Sequence, residues 1–412
     1  MWVTLPSSPP RGRLWVMLAV LCLGAFLASS SSIAVSPFLL NMASDLDTDL
    51  AAVANLVAFQ SITWGIASLL AGALSDRLGR KPLLVVGLVI LLLSGLAVSA
   101  SSTYAWVVLW RLIGGIGGGT FMGAVFAAAA DLFPPAERGR SLGWVITGQS
   151  LSLVLGVPII TLLGSWGGWR GAIALHSAVV LVAAVAVWLL VPNGTTNRAR
   201  ERPASGESVL RLLRPKVVAL LTAGTAERIC YGAVAVFLPT FFLTAYGVTF
   251  ETLAIALVVV ALGNLVGNVV GSQLSDRVPS RAVMSAVSLL ATGGMALPVL
   301  LLRPGLLPSI ALGFLYTFVD ALVRPSLFAA ISEVSSRSRG AVMGLNITFS
   351  SFGWLGATVV GGWLINGWGF GALGALAAAA GVAGAAAAAL SWALPESEVR
   401  PATLPWAARP GR

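Results

Sequence analysis

Long apolar runs constrain this chain more than any other feature of its sequence. A helix that crosses a membrane needs about 20 mostly apolar residues, because the hydrocarbon core is about 30 Å thick and each residue adds about 1.5 Å. Only 10% of the residues are charged, against roughly 25% in an average soluble domain. The pattern predicts an all-α membrane protein with twelve transmembrane helices, at Leu14–Leu39, Ala51–Leu74, Leu83–Ser101, Ala105–Leu132, Leu142–Leu163, Gly171–Val191, Val217–Leu243, Leu253–Leu274, Val283–Leu302, Leu306–Ile331, Val342–Ile365 and Phe370–Leu394.

Basic residues collect in alternate loops between these runs. If the N-terminus is cytoplasmic, Arg170 and Arg303 are the only basic residues in the outside loops. This asymmetry follows the positive-inside rule and predicts that both termini are cytoplasmic. The formal net charge of +10 is therefore a topology signal. It does not indicate nucleic-acid binding, because no basic patch is interleaved with aromatic residues on a soluble domain.

The first apolar run has one alternative interpretation. Arg11 and Arg13 precede it and small residues follow at 28–32, as in a secretory signal. Cleavage there would leave eleven spans and undo the charge asymmetry, so we favour a span. Cys22 and Cys230 both lie in spans, and we expect them to pack as small apolar residues rather than form a disulfide.

The sequence repeats itself after half the chain. The LSDR motif at 74–77 returns at 274–277, RGRSLG at 138–143 is echoed at 339–344, and GW at 168–169 returns at 367–368. We therefore expect two six-helix halves, at 1–191 and 217–394, with a cytoplasmic linker at 192–216 and a cytoplasmic tail at 395–412. Duplicated membrane proteins of this kind are most often transporters, with substrate sites near the bilayer midplane.

Three motifs carry a family resemblance. GALSDRLGRK at 72–81 resembles the signature between spans two and three of the major facilitator superfamily. Arg111, followed by Gly115 and Gly117, resembles a motif of its proton-coupled members. Gly148, Gly156 and Pro158 resemble the span-five motif of its drug and sugar antiporters, in a form similar to the sugar and arabinose efflux subgroup. The resemblance implies a major facilitator fold and transport by alternating access.

The first loop motif is expected to form a cytoplasmic gate. Gly72 permits close helix approach and Gly79 a tight turn. Asp76 can meet a helix N-terminus or Arg80, with Asp131 as a third member. The resemblance implies a charge latch that holds the two halves together; the alternative is a topology signal alone. In the second copy Pro279 and Ser280 replace Gly79 and Arg80, so that latch should be weaker. The gate residues are Gly72, Asp76, Arg77, Gly79, Arg80, Lys81, Asp131, Asp276, Arg277 and Glu333.

Charged residues inside the predicted spans are the candidate substrate and proton-coupling residues, since each costs about 2.5 to 3.5 kcal/mol at mid-helix on insertion scales. Tyr316, Asp320 and Arg324 share one helix face by their spacing, and Glu227 shares another with Tyr231. Pairs such as Glu227 with Arg324, or Asp320 with Arg228, would neutralise most of the charge. Arg111 stands alone in span four, and the first half has no membrane-interior acid.

Three interpretations of these charges remain open. Glu227 or Asp320 can carry protons, because a carboxyl group removed from water favours its neutral form. The charges can instead bind a polar substrate, or form an ion-pair network that only fixes helix packing. Arg111 can bind an anionic group of the substrate or cap backbone carbonyls at a broken helix. Gln149 can face the cavity, although polar residues in spans also hold helices together.

The sequence lacks the motifs of an enzyme. It has no phosphate-binding loop ending in Gly-Lys-Ser/Thr, no dinucleotide fingerprint after a strand and no Gly-x-Ser-x-Gly elbow. His176 is the only histidine, and no cysteine lies near it, so no metal site is expected. We expect neither enzymatic activity nor a cofactor.

The residues and the resemblance together predict a monomeric secondary transporter in a plasma membrane, of bacterial type. We expect proton-coupled efflux of a small organic solute such as a drug, sugar or metabolite. The alternatives are proton-linked uptake or facilitated passage of a small metabolite, anionic metabolites included, and a membrane sensor without transport. The expected partners are the substrate, protons and the lipid bilayer, and no nucleic acid.

Overall fold

The computed structural model describes residues 11–134, 137–192, 213–334 and 339–394. Fourteen α-helices run through these ranges: α1 Arg11–Ile33, α2 Leu39–Asp45, α3 Leu50–Leu78, α4 Arg80–Ala100, α5 Tyr104–Leu132, α6 Arg138–Leu151, α7 Val157–Leu190, α8 Pro215–Tyr246, α9 Phe250–Ser275, α10 Arg281–Leu301, α11 Leu306–Ala321, α12 Val323–Val334, α13 Arg339–Trp368 and α14 Phe370–Ala393. A 3-10 turn, Ser36–Phe38, precedes α2, and a π-helical segment, Ser152–Gly156, joins α6 to α7. The tail at 395–412 and most of the predicted linker lie outside the described residues.

The helices have the length and composition of membrane spans. Ten helical stretches in the described residues are long and apolar enough to cross a membrane. One of them, Arg140–Leu190, has 51 residues and is broken at Gly168, whose φ of 60° and ψ of −172° are not helical. The predicted all-α membrane class is confirmed, while the count of twelve spans stays a prediction.

Prolines interrupt three predicted spans that would otherwise be continuous helices. A proline ring clashes with the carbonyl of the residue four positions earlier and lacks an N–H. Helix α1 accordingly ends at Ile33, four residues before Pro37, and α11 ends at Ala321, four residues before Pro325. Before Pro158 the helix widens into the π-helical segment instead of ending. The prolines thus place helix breaks inside the spans that carry most of the candidate site.

The buried core is shared at one end of the molecule and divided at the other. We call α1–α7 the N-terminal group and α8–α14 the C-terminal group. One cluster joins both groups and includes Phe38 and Trp169 from the first and Phe241 and Leu300 from the second. The other two clusters each belong to one group, Leu18 to Val191 in the first and Val217 to Ala388 in the second. The groups therefore pack together at the end predicted to lie outside and have separate cores at the basic end.

A ridge of glycines brings α9 against the interrupted span ten. A Cβ atom added to Gly267 would meet the Cβ of Ala321 at 2.8 Å, and one added to Gly271 would meet the Cα of Leu322 at 2.9 Å. Gly263 lies in the same way against the backbone of Phe314. Small residues at every fourth position allow two helices to approach this closely.

Candidate functional site

Glu227 is the centre of a buried charge cluster in the C-terminal group. Glu227 is 2% exposed, and its carboxylate accepts hydrogen bonds from two arginines. Arg228 donates from Nε at 2.5 Å and also from Nη2, and Arg324 donates from Nε at 3.0 Å. Both arginine side chains are largely buried as well, at 13% and 22% exposure. The cluster therefore holds two guanidinium groups against one carboxylate.

The helix break at Leu322 brings the two spans together in this cluster. Glu227 and Arg228 are neighbours on α8, whereas Arg324 lies in the first turn of α12. The contact between Glu227 and Arg324 is one of the cross-helix pairs predicted from the sequence. Helix α11 ends at Ala321, shortly before Arg324. Buried charges in a low-dielectric interior persist when they are paired and hydrogen-bonded, as Glu227 is here.

Aromatic rings surround the cluster. The Tyr231 ring, one turn after Glu227, lies 5.2 Å from the Arg228 guanidinium and 4.8 Å from that of Arg324. Trp354 of α13 meets Tyr231 edge-on, with ring centroids 5.8 Å apart. Such cation–π contacts strengthen when water is excluded. Sequence reasoning missed Trp354, because a tryptophan in an apolar span gives no signal of what it will contact.

Asp320 is the unpaired acid of this region. It is completely buried, and neither carboxylate oxygen has a hydrogen-bond partner among the described residues. The contact between Asp320 and Arg228 is absent from the described ion pairs. Tyr316, one turn earlier, donates instead to the carbonyl oxygen of Cys230 at 2.8 Å. A buried carboxylate without partners is costly, and it can remove that cost by taking up a proton or binding a cation.

An apolar pocket adjoins the cluster between the two groups. Its volume, which includes space open to the solvent, is about 480 Å³. Its polar lining atoms come from Tyr231, Thr317 and Asn264, whose buried amide nitrogen has no hydrogen-bond partner among the described residues. The other lining residues are apolar: Ile33, Leu153, Val157, Val234, Ala235, Leu238, Pro239, Leu257, Val260 and Ala261. A mostly apolar pocket with a few polar groups is the usual setting for a bound small organic molecule.

Arg111 caps the broken end of the first span. Its guanidinium donates to the carbonyl oxygens of Ser31 at 3.0 Å and Ser32 at 2.9 Å, in the last turn of α1, and to that of Leu56 in α3 at 3.3 Å. Carbonyls at a helix end have no intrahelical partner and need one from elsewhere. Of the two roles considered for Arg111, the geometry displays the capping role. Gln149 lies exposed on α6.

The span-five motif packs against α1. A Cβ atom added to Gly148 would meet the carbonyl oxygen of Cys22 at 2.7 Å, and one added to Gly156 would crowd Ser30. Pro158 is buried at the start of α7, directly after the π-helical segment. The two glycines thus allow this irregular backbone to lie close to the first span.

Gly79 forms the turn between α3 and α4. Gly79 has φ 93°, a conformation that side-chain-bearing residues rarely adopt. Arg80 donates from Nε to Asp131 at 3.0 Å and from Nη1 to Ser75. A Cβ added to Gly72 would be 3.8 Å from the carbonyl oxygen of Gly123 in α5, so α3 and α5 lie close there. Of the other gate residues in this loop, Arg77 is exposed and Lys81 half-buried.

The ion pairs described at this end each stay within one group. Asp131 and Arg80 both belong to the N-terminal group, and in the C-terminal group Asp276 lies 3.9 Å from Arg281, while Arg277 is exposed. The side chains of Asp76 and Glu333, which complete the predicted latch, lie outside the described residues. A latch that joins the two halves therefore stays a prediction.

A polar clamp at the opposite end was not predicted. The Trp169 indole donates to Asp45 at 2.8 Å, and Arg170 donates to the same oxygen at 2.5 Å. The Arg170 guanidinium also lies 4.1 Å from the Trp169 ring. The break at Gly168 turns Trp169 and Arg170 toward α2. The recurring Gly-Trp pair was the available signal, and its partner Asp45 had none.

The described residues contain no group of three or more His, Cys, Asp or Glu side chains that could hold a metal. His176 is buried, with Nε2 unpartnered among the described residues. Cys22 and Cys230 are both free thiols. The helices, their lengths and their buried charges define a multi-pass helical membrane protein.

Comparison with known proteins identifies the family. The model of the Major Facilitator Superfamily matches residues 21–358 and, in a second alignment, 220–409, so the chain belongs to that superfamily of membrane carriers for small molecules. It is 25% identical over 326 residues to a chloramphenicol resistance protein of Streptomyces lividans, covering 78% of this chain and 83% of the relative. It is 24% identical to multidrug resistance protein 2 of Bacillus subtilis, covering 76% and 79% of the two chains.

Two further comparisons extend over more of the chain. The inner membrane transport protein YdhP of Escherichia coli O157:H7 is 25% identical over 361 residues, covering 86% of this chain and 90% of the relative. The crystal structure of a bacterial homologue of the human lysosomal transporter Spinster, inward-facing and unoccupied, superposes with a TM-score of 0.73 at 16% identity, covering 93% and 96% of the two chains. At that identity the likeness concerns the fold alone.

Proposed function

We propose that this protein is a secondary active transporter that exports a small organic solute in exchange for protons. The proposal rests chiefly on Asp320, a fully buried carboxyl group without a hydrogen-bond partner among the described residues. Glu227 is already held by two arginines, so Asp320 is the acid of this region that remains available for a proton. The chloramphenicol and multidrug resistance relatives support the outward direction.

Asp320 lies where proton binding can influence the substrate pocket. It is one turn from Tyr316 on α11, and Thr317 of the same turn lines the pocket beside Tyr231. Loss of a proton from Asp320 would place a second negative charge near Arg228 and Arg324. That charge would compete with Glu227 for the two guanidinium groups and shift Tyr231, which contacts both of them. Proton release and substrate binding are thereby coupled through one set of side chains.

The division of the core supports alternating access. The two groups share one core at the end that we assign to the outside, and each has its own core at the basic end. This arrangement corresponds to a carrier that opens toward the cytoplasm, as the Spinster homologue of similar fold does. Closing that end would bring the charged loops at 72–82 and 274–281 together, which is the step in which the predicted latch would form.

The remaining features of the proposal concern topology. We propose twelve spans in two six-helix domains, 1–191 and 217–394, with the linker at 192–216, the tail at 395–412 and both termini in the cytoplasm. The Arg140–Leu190 stretch supplies two of these spans on either side of Gly168, and α13 supplies one. We further propose that the protein works as a monomer in a bacterial plasma membrane, without a cofactor and without enzymatic activity.

Asp320→Asn in proteoliposomes tests the coupling. The first substrate to be tested is radiolabelled chloramphenicol. If chloramphenicol does not bind, a thermal-shift screen of the purified protein against drugs, sugars, amino acids and organic anions supplies another substrate. We expect the variant to keep exchange of labelled for unlabelled substrate but to lose accumulation driven by an imposed pH gradient. Asp47→Asn is the matched control, because Asp47 is exposed and its φ of 49° suits asparagine equally. Gradient-driven accumulation in Asp320→Asn equal to that of the control would refute the role of Asp320.

A second candidate function is the passage of a small anionic metabolite, by proton-linked uptake or facilitation. While Asp320 is protonated, two guanidinium groups face the single carboxylate of Glu227, and this excess favours such a function because an anion would complete the charge balance. Stabilisation by organic anions alone in the thermal-shift screen, lost in Arg324→Gln, would favour this function over drug export. A sensor without transport would bind a ligand in that screen and move none in proteoliposomes.

A further inference from the structure

A second, polar pocket lies at the basic end of the C-terminal group. It lies between the start of α8, the loop from α9 to α10 and the end of α14, and its volume, which includes space open to the solvent, is about 960 Å³. Lys216 and Arg281 line it, together with Asp276 as the acid of the lining. Asp276 is 77% exposed and lies 3.9 Å from Arg281. Among the described residues, the lining thus carries two cationic side chains and one anionic side chain.

The pocket also presents neutral hydrogen-bond donors. It is lined by Ser280, the N-cap of α10, and by Arg281 and Ala282, the first residues of that 21-residue helix. The Ser280 hydroxyl caps the Val283 amide at 3.4 Å, and the amides before Val283 lie at the positive end of the helix. Ser275 in the wall of the pocket is 4% exposed, and its hydroxyl has no partner among the described residues. Cations, helix amides and a buried hydroxyl together match the oxygens of a phosphate group.

The surroundings of the pocket suit a lipid better than a soluble phosphate. Trp392, also in the lining, is 67% exposed, and tryptophan is enriched where membrane meets water. Val283, Val287 and Leu290 are exposed along one face of α10 from the pocket toward the middle of the helix. An acyl chain can lie along this apolar stripe while its phosphate sits among the charges. Basic pockets between helices on the cytoplasmic side are suited to anionic lipid headgroups.

We propose that the pocket at Lys216, Ser275 and Arg281 binds the phosphate of an anionic membrane lipid. The proposal rests on the cytoplasmic placement of this end and not on the transported substrate. A lipid held there would tie the linker end of α8 to the loop between α9 and α10 and to the end of α14. It would thereby stabilise the C-terminal group at the end where its core is separate from that of the N-terminal group.

Native mass spectrometry of the full-length protein, titrated with phosphatidylglycerol or phosphatidylethanolamine, tests this inference. Removal of one basic residue should weaken the binding of an anionic lipid about fivefold. We therefore expect the double variant Lys216→Gln/Arg281→Gln to bind phosphatidylglycerol about 25-fold more weakly than wild type. Arg13→Gln/Arg140→Gln removes the same charge from exposed positions of the N-terminal group and should change binding little. Ser275→Ala, which keeps all charges, should weaken phosphatidylglycerol binding.

The outcomes separate the possible ligands. Preference of wild type for phosphatidylglycerol, lost in the pocket variants alone, supports the proposal. Equal binding of both lipids, or equal losses in the two double variants, overturns it. Displacement of the bound lipid by millimolar inorganic phosphate or AMP would assign the pocket to a soluble phosphate and also overturn it. None of these readouts depends on transport, so failure here is distinguishable from failure of the proposed function.

Discussion

Replacing Glu227 by glutamine removes the anion between two buried guanidinium groups. The substitution keeps the size of the side chain and its position on α8, so the change is in charge and hydrogen bonding. Glu227 is 3% exposed as a side chain, and its partners are 13% and 22% exposed. Breaking one buried pair by removing a partner costs about 3 to 5 kcal/mol, because the other charge is left uncompensated. We expect Glu227→Gln to lower the free energy of unfolding by about that amount.

A second substitution separates this cause from general damage. Arg228→Gln removes one of the stranded cations, so the double variant Glu227→Gln/Arg228→Gln should be less destabilised than the sum of the single variants. Contacting residues in one network show coupling of about 0.5 to 3 kcal/mol. The upper half of that range is expected here, since Arg228 donates to both carboxylate oxygens of Glu227.

The assay is reversible unfolding in mixed micelles of dodecyl maltoside and SDS, followed by circular dichroism and by the fluorescence of the 14 tryptophans. Glu137→Gln is the matched control, because Glu137 pairs with Arg11 at 3.0 Å at the surface, where the arginine is 85% exposed. Surface pairs contribute about 0 to 1 kcal/mol. If Glu227→Gln cost no more than the control and the double variant were additive, the ion-pair interpretation would be wrong.

Two other substitutions test backbone features. Gly79→Ala should destabilise the protein by about 1 to 3 kcal/mol, because φ at this turn is 93°. The control is Gly143→Ala at an uncrowded helical position, which should be neutral or stabilising by about 0.5 to 1 kcal/mol. Equal effects of the two substitutions would contradict the role of the turn. Arg111→Lys keeps the charge but not the fork that reaches three carbonyls, and a loss below about 1 kcal/mol in the same unfolding assay would show that capping of α1 contributes little.

The candidate site was predictable as a set of residues but not as an arrangement. Charges are rare in apolar spans, so Glu227, Asp320 and Arg324 were visible in the sequence at once. Which acid is paired was not visible, because side chains that share a helix face by spacing can be separated by a small change in the backbone. The break at Leu322 decides this point, and it leaves Asp320 on α11 while Arg324 turns toward Glu227. Trp354 had no sequence signal, because its importance comes from its neighbour Tyr231.

The gate loop shows the same division of information. Its glycine turn followed from the residue type at position 79, because glycine alone adopts such backbone angles without strain. Its partners depend on how the two groups stand relative to each other, and that is a property of one conformational state. In the state described, Arg80 serves Asp131 and Ser75 within its own group.

The sequence by itself determined the membrane environment and the class of this protein and predicted its duplication, because apolar length, the distribution of basic residues and recurring motifs are local or periodic properties. Tertiary structure decided where the spans break, which acid is left unpaired, and at which end the two groups share a core. These features arise from contacts between segments far apart in the chain: Arg111 with the end of α1, Arg324 with Glu227, and Phe38 with the core of both groups. Tertiary packing selects one of several local conformations that the sequence allows equally, so these features are visible only in the folded structure.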